Sequence, residues 1–202
     1  MTLWLARDPL VLASKSTVRR TMLEAAGVSV AVQPADLDER KLEEGAPSQA
    51  PTVIALHLAR AKALAVARQN PGRLVLGADQ TLALGERRFS KPPDRGAARE
   101  QLCALRGQVH ELHSAIALAQ DGATLFEHVD VARLTMRDFS DDFLDLFIAA
   151  VGNAVTASVG AYQLEGPGIQ LFERVEGDYF TVLGLPLLPA LTFLRRQGCL
   201  AQ

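Results

Sequence analysis

The chain has only two cysteines in 202 residues, Cys103 and Cys199, and they form no C-x-x-C pair. That excludes a disulfide framework and a thiolate metal centre. Two reduced, half-buried thiols in a cytoplasmic protein are expected instead. Charge of one sign is missing too. Lysine and arginine number 21 against 23 acids, for a net charge of −2 and a pI near 6.1. No overall field exists that would hold a nucleic acid polymer. No apolar run reaches the roughly 20 residues of a membrane helix. The start, MTLWLARDPLVLAS, lacks a basic leader and is broken by Asp8-Pro9, so no signal peptide is expected. There is no Walker A loop, no internal repeat, no low-complexity tract and no linker that splits the chain. Hydrophobic residues make up 49% and charged residues 22%, the balance of an ordinary globular protein. At this length the chain can form one large core or two lobes sharing a cleft.

The stretch LVLGADQTLALGERRFSK, from Leu74 to Lys91, organises the rest. Leu74, Val75 and Leu76 read as a buried strand. Gly77 and Ala78 bring almost no side chain, and Asp79 then places a charge at the end of the apolar run. Gly85-Glu86 reads as a tight turn, and Lys91 follows a short hairpin later. Asp79 reads either as a functional acid beside bare backbone or as a turn cap.

Upstream, Leu10–Ala13 reads as a short strand and Val18–Ala26 as a helix with Val18, Met22 and Ala25 on one face. The loop between them, Ser14-Lys15-Ser16-Thr17, delivers hydroxyls to the helix start, with Arg19 and Arg20 in the first turn. Cations there run against the helix dipole, which makes sense if an anion docks; otherwise Ser16 is a plain cap. Val28–Val32 is a second candidate strand. Asp36, Asp38 and Glu39 form an acidic loop, either solvated or able to hold a divalent cation. Pro51–Arg68 is the longest helix, with Ile54, Leu58, Ala61 and Ala65 as its buried stripe. Lys62 stands at the stripe's edge, where a lysine commonly snorkels.

Downstream, Arg95–Arg106 is a helix opened by Pro92-Pro93-Asp94 and ended by Gly107. VHELHSAIALA is a strand. His110 and His113, three apart on it, point to opposite faces and cannot share a metal. Asp121-Gly122 marks a hairpin. Ser140 opens a helix with Phe143, Leu146, Phe147 and Ala150 as its apolar stripe. Ile169–Phe172 and Tyr179–Leu183 read as strands joined by Glu176-Gly177-Asp178, and a last helix begins at Gly184-Leu185-Pro186.

Five motifs occur in order: L-A-S-x-S…R-R from Leu12 to Arg20, L-A-R-x-K-A from Leu58 to Ala63, G-A-D from Gly77 to Asp79, K-P at Lys91, and G-A-Y…E-G…E-G-D-Y…G-L-P-L from Gly160 to Leu187. With them the chain resembles, over nearly its whole length, the Maf family of nucleoside triphosphate pyrophosphatases, linked to septum formation. The resemblance implies a mixed, twisted α/β sheet in two lobes around a central cleft, like the inosine triphosphatase (Ham1-type) enzymes. It implies a single Maf-like pyrophosphatase domain over residues 1–202, in the cytoplasm and capable of homodimerising. It implies hydrolysis of a nucleoside triphosphate to the monophosphate and pyrophosphate, a house-cleaning of the nucleotide pool linked to cell-division arrest. A divalent cation (Mg²⁺, Mn²⁺ or Co²⁺) is expected as cofactor, and neither nucleic acid nor membrane as partner.

Residue by residue, the resemblance puts Asp79 at the proton-acceptor position, as general base, metal ligand or both. Glu39 matches the acidic position that joins it at the metal. Ser14, Arg19, Lys62 and Lys91 take the phosphate-contacting positions. Val18, Gln80 and Glu165 take three positions tied to base choice. Members acting on 7-methyl-GTP look like Trp, Gln and Glu there, and those acting on dTTP and UTP like Arg, Thr and Gln. Gln80 and Glu165 side with the former, and a carboxylate suits the adjacent N–H donors of guanine. Val18 removes the aromatic plate that would stack on a methylated purine, and Ser16-Thr17-Val18 stands where the family usually has Ser-Pro. The alternative is a non-catalytic, nucleotide-binding regulator of septum formation.

Overall fold

The computed structural model describes residues 3–202, so the N-terminal reading that begins at Met1 and Thr2 lies partly outside it. The fold is mixed α/β. Seven strands form one sheet: β1 (Leu10–Leu12), β2 (Val30–Val32), β3 (Val75–Leu84), β4 (Arg87–Phe89), β5 (Val109–Gln120), β6 (Ala123–Met136) and β7 (Phe172–Glu176). Their order is β2-β1-β3-β5-β6-β7, with β4 paired to β3. β1 runs parallel to both β2 and β3, while β4 and β7 pair antiparallel. The helices are α1 (Thr17–Ala25), α2 (Glu39–Glu44), α3 (Pro51–Ala67), α4 (Arg95–Leu105), α5 (Asp141–Val151), α6 (Tyr179–Val182) and α7 (Leu187–Arg196). No helix among the described residues is long and apolar enough to cross a membrane.

The chain forms two compact units. Among the described residues the first comprises those up to Gln80, Ser114–Asp130 and Tyr179–Gln202, and the second Thr81–His113 and Val131–Asp178. In the first unit the strands bury both faces, and the period-two alternation of a strand sorts the side chains between them. Leu10, Leu12, Leu76, Ala78, Ile116 and Leu118 pack with Met22 and Leu23 of α1 and with Leu187, Ala190, Phe193 and Leu194 of α7. Val11, Ala13, Val75, Ala115 and Ala117 pack with Ala55, Ala59, Ala63 and Val66 of α3. On β3 the even positions therefore look toward α1 and α7, and the odd positions toward α3.

The sheet face under α3 is made of alanine and valine because the helix lies close. A β-carbon added to Gly77 would sit 2.2 Å from the Ala59 carbonyl oxygen and 2.6 Å from the Ala63 nitrogen. Only glycine lets the α3 backbone come that near the strand.

In the second unit Leu82, Leu102, Leu105, Leu134, Met136 and Leu171 are fully buried. His110 is buried there as well, its Nε2 2.7 Å from the Tyr162 hydroxyl, and both rings lie against Phe172. Burial lowers the His110 pKa to about 4, so the ring is neutral. His113 instead meets Glu111, at 3.1 Å, so the two histidines do not converge.

Several expectations are corrected. Asp79 ends no apolar run: it lies inside ten-residue β3, which continues to Leu84 through buried Thr81, Leu82 and Ala83. The acidic stretch at Asp38-Glu39 forms a short helix, α2, capped by the Asp38 carboxylate accepting from the Lys41 N–H. Ile169–Leu171 is a 3-10 turn, and Tyr179–Val182 is helical. The strand in that region is Phe172–Glu176.

The helix stripes are also rotated from their expected phase. α3 buries Ala55, Ala59, Lys62, Ala63, Val66 and Ala67 along with Ile54 and Leu58, rather than Ala61 and Ala65. α5 buries Leu144 and Phe147 and leaves Leu146 71% exposed and Ala150 exposed. On α1 Leu23 is buried and Ala25 is not. These helices carry apolar residues on several faces, so periodicity alone does not fix which one meets the sheet.

Candidate active site

Two families of contacts meet around Asp79 in the first unit. The first comes from α3. Lys62 projects from the buried face of the helix at the place where Gly77 admits its backbone. Its Nζ donates to Asp79 Oδ1 at 2.6 Å and lies 2.9 Å from Glu39 Oε1. Asp79 and Lys62 are 8% and 9% exposed. Lys62 is thus no snorkelling edge residue but the centre of a carboxylate–ammonium–carboxylate bridge. Glu39 stands in the first turn of α2, where the helix dipole favours its charge.

Burial raises the Asp79 pKa above the ordinary carboxylate value. The positive charges of Lys62 and Arg19 pull against that rise, and Glu39 adds to it. The result is an acid inside a sheet, kept beside two cations and a second acid. That cluster is costly to bury unless it has a use.

The second family lies on the α1 side. The Arg19 guanidinium donates from Nε to the Gly184 carbonyl at 2.8 Å, and from Nη1 to the Ala78 carbonyl at 2.9 Å and to Ser14 Oγ at 3.2 Å. Burial lowers the Arg19 pKa, with Asp79 and Glu39 acting against the shift. Ser14 is buried and also accepts from the Ser16 N–H. Ser16 caps α1 by accepting from the Arg19 N–H. The serines are therefore caps and arginine supports together. Arg20 turns out to pair with Glu24 on the surface.

Gln80 follows Asp79 and so faces the opposite side of the sheet. Its Nε2 donates to Ser114 Oγ at 2.9 Å, to the Val182 carbonyl at 3.0 Å and to the Thr181 carbonyl at 3.2 Å. Val18 is half-buried against the core between the sheet and α7. Lys91 and Glu165 belong to the second unit and are exposed there, Lys91 just after β4 and Glu165 in a turn. The first unit thus gathers Ser14, Arg19, Glu39, Lys62 and Asp79, with Gln80 and Val18 on the α1 side.

Ser114, Thr181 and the Gly184 carbonyl are parts of the site that sequence reasoning did not single out. Backbone carbonyls leave no trace in side-chain chemistry. The one available signal was Gly184-Leu185-Pro186, read only as a helix start.

Asp79 and Glu39 share one cation at hydrogen-bond distance, which tests the fit of a divalent metal. Two hard oxygen donors from different elements suit Mg²⁺ or Mn²⁺, which take one or two carboxylates and complete their shell with water and phosphate oxygens. Among the described residues no group of three or more histidine, cysteine, aspartate or glutamate side chains forms a self-sufficient metal cage.

The family profile for Maf-like proteins matches residues 9–197. The chain belongs to the Maf-like protein family. A protein named nucleoside triphosphate pyrophosphatase from Rhodopseudomonas palustris (strain ATCC BAA-98 / CGA009) is 54% identical over 201 residues, covering 100% of both chains. One from Brucella abortus biovar 1 (strain 9-941), named 7-methyl-GTP pyrophosphatase, is 51% identical over 195 residues, covering 95% of this chain and 97% of its own. Among solved structures, a HAM1 protein from Coxiella burnetii aligns with a TM-score of 0.41 at 15% identity, over 65% of this chain and 74% of that one.

Proposed function

We propose that this Maf-like chain is a nucleoside triphosphate pyrophosphatase that cleaves its substrate between the α- and β-phosphates. One observation carries the reading: a buried carboxylate, Asp79, held 2.6 Å from the Lys62 ammonium, which also meets Glu39. Relatives 51–54% identical over nearly their full length bear pyrophosphatase names.

In this reaction water attacks the α-phosphorus, the bridging P–O bond to the β-phosphate breaks, and pyrophosphate leaves. Asp79 takes the proton of the attacking water, and burial, which raises its pKa above the ordinary carboxylate value, makes it the stronger base. Lys62 and Arg19 face the charge that gathers on the phosphate oxygens in the transition state. Ser14 Oγ accepts from the Arg19 guanidinium at 3.2 Å and helps to hold it. Asp79 and Glu39 would hold a divalent cation, which when bound supplies Lewis-acid polarisation of the phosphate oxygens.

For the base, we favour a guanine-type substrate, 7-methyl-GTP among them. The family's base-choice position holds Glu165, whose carboxylate would suit the adjacent N–H donors of guanine, and the Brucella relatives carry 7-methyl-GTP in their names. The test is pyrophosphate release from a panel of GTP, 7-methyl-GTP, UTP, dTTP, ATP and CTP with Mg²⁺ or Mn²⁺. Release from at least one, fastest with the guanine types, is expected. A chain that binds nucleotide and releases no pyrophosphate from any would be a non-catalytic regulator instead. Glu165→Gln should shift the ratio of kcat/KM values toward pyrimidines by roughly tenfold, since an amide N–H then opposes a guanine donor.

A further inference from the structure

We propose that the Lys62 ammonium occupies the place between Asp79 and Glu39 that a divalent cation would take, so that ammonium and cation exclude one another there. The inference rests on the reading of Asp79 and Glu39 as the carboxylate pair for that cation.

The geometry begins with one atom. Lys62 Nζ stands 2.6 Å from Asp79 Oδ1 and 2.9 Å from Glu39 Oε1. Both are distances of charge-assisted hydrogen bonds. The two oxygens come from different elements, Asp79 from β3 and Glu39 from α2, and Nζ is the point on which they converge. A cation bonded to both oxygens would need that same point. An oxygen-bound Mg²⁺ sits at about 2.1 Å from its ligands, closer than an ammonium does. Two positive centres cannot share the place.

Charge points the same way. As ion pairs, the carboxylates of Asp79 and Glu39 are already balanced by the ammonium of Lys62 and the guanidinium of Arg19. A divalent ion added to that cluster would leave two positive charges in surplus where Asp79 and Lys62 are both buried. Such a surplus is costly away from water. With the ammonium gone, one carboxylate charge is left over for the cation. Arg19 cannot take the ammonium's part. Its Nε donates to the Gly184 carbonyl, and its Nη1 to the Ala78 carbonyl and Ser14 Oγ. It therefore faces the acids through charge alone.

The place is open on one side. The Glu39 side chain is 51% exposed, in the first turn of short α2, whereas those of Lys62 and Asp79 are buried. Glu39 is thus the wet edge by which a hydrated ion reaches the buried oxygen. Lys62 carries its charge on a flexible four-carbon stem, and only two of its three N–H groups meet the carboxylates. Once displaced, it is a free cation beside the site, available to the phosphate chain. The chain alone should therefore hold a divalent ion poorly, and a triphosphate, whose charge offsets the surplus, should bring the ion in with it.

Manganese by itself, with no nucleotide, is the probe. Mn²⁺ affinity is measured by calorimetry for the wild type, Lys62→Met, Lys62→Gln, Asp79→Asn, and the double variant Lys62→Met with Asp79→Asn. Lys62→Met should bind Mn²⁺ about tenfold tighter than the wild type or more, the effect of removing a unit charge at hydrogen-bond distance. Lys62→Gln should shift in the same direction, since an amide is neutral. On the Asp79→Asn background the gain from Lys62→Met should fall to within about twofold, because one of the two contested oxygens has lost its charge.

Equal Mn²⁺ binding by the wild type and Lys62→Met, or weaker binding by the variant, would overturn the proposal. So would a tenfold gain that persists on the Asp79→Asn background. If Lys62→Met fails to fold, Lys62→Gln decides alone by the same comparison. Pyrophosphate release by the wild type is scored separately. Release without any gain of Mn²⁺ in the Lys62 variants sinks this inference and leaves the enzymatic reading standing. A gain of Mn²⁺ without release from any triphosphate does the reverse.

Discussion

Each unit buries a titratable pair, and the two pairs meet burial in opposite ways. In the first unit Asp79 and Lys62 form an ion pair inside the sheet–helix contact, with Glu39 and Arg19 close in charge. In the second, His110 and Tyr162 share a 2.7 Å hydrogen bond as neutral groups: burial holds the histidine unprotonated and raises the tyrosine pKa. A neutral pair is the cheaper way to fill a core, because no charge loses its water. An ion pair with a second acid attached is the more expensive way, and replacing such pairs with apolar groups is often stabilising. The difference teaches where to look for chemistry: the second unit's pair is neutral and fills a core, and the first unit's charged pair is the one we propose for the reaction.

The two pairs also give opposite pH slopes. The folded pKa of Asp79 lies above its unfolded value of 3.8, so the folded chain keeps that proton longer. Its contribution to stability is greatest at low pH and is lost as pH rises from 3.8 through the raised value. The folded pKa of His110, about 4, lies below its unfolded 6.5. Its contribution is present above 6.5 and is lost as pH falls through that window.

The sharpest break of the comparison is Asp79→Asn. Turnover should fall by about 10²–10⁴-fold, the range of a lost general base. Stability at pH 7 should not fall, because an amide escapes the desolvation that opposes the ionised acid. Pyrophosphate release and urea unfolding on the same preparation check both halves. A variant with wild-type rate would remove Asp79 from the mechanism. For the wild type, the acid limb of kcat/KM should lie above pH 3.8.

Next in size is His110→Gln, which keeps a partner for the Tyr162 hydroxyl. Wild-type stability should drop by about 3 kcal/mol more than the variant's between pH 6.5 and 4, from a shift of that width. Urea titrations at the two ends of the window measure it, and parallel curves for both proteins would show that His110 does not titrate with unfolding. Turnover at pH 7.5 should be unchanged, in contrast with Asp79→Asn.

Gly77→Ala should cost about 1–3 kcal/mol. Its methyl group would meet the Ala59 carbonyl at 2.2 Å and push α3, and Lys62 with it, away from β3. Thermal unfolding checks the stability, and an activity loss greater than the unfolded fraction explains would confirm the displaced lysine. The smallest effect belongs to Leu146→Gln. This side chain is 71% exposed on α5, so its loss should change stability by no more than about 0.5 kcal/mol. A loss of several kcal/mol would restore the apolar stripe that the sequence suggested.

Much of this architecture was legible in the sequence. Ser16 and Ser140 stand where capping chemistry puts them, each accepting from a backbone N–H three residues on. Asp121-Gly122 turns the β5–β6 hairpin with both residues at positive φ. The five motifs, met in order, led to the family to which the chain belongs. Local chemistry fixes such features, because a cap or a two-residue turn needs no partner from elsewhere in the chain.

Other features needed the tertiary structure. Gly77-Ala78 read as bare backbone beside an acid, but the sequence could not say that the space was for a helix 14 residues upstream of it, counted from Ala63. Lys62 read as an edge lysine, because α3 is apolar on several sides and its own pattern does not say which side meets the sheet. Only the packing of Ala59 and Ala63 against Gly77 turns Lys62 inward and brings Asp79 to 2.6 Å from it. The Thr181 and Gly184 carbonyls, which accept from Gln80 and Arg19, are invisible in any sequence, since every residue carries the same carbonyl. The sequence by itself determined which residues can cap, turn and ionise. Which of them meet was decided by the tertiary structure, because a charge's pKa and a helix's inward face depend on neighbours distant along the chain.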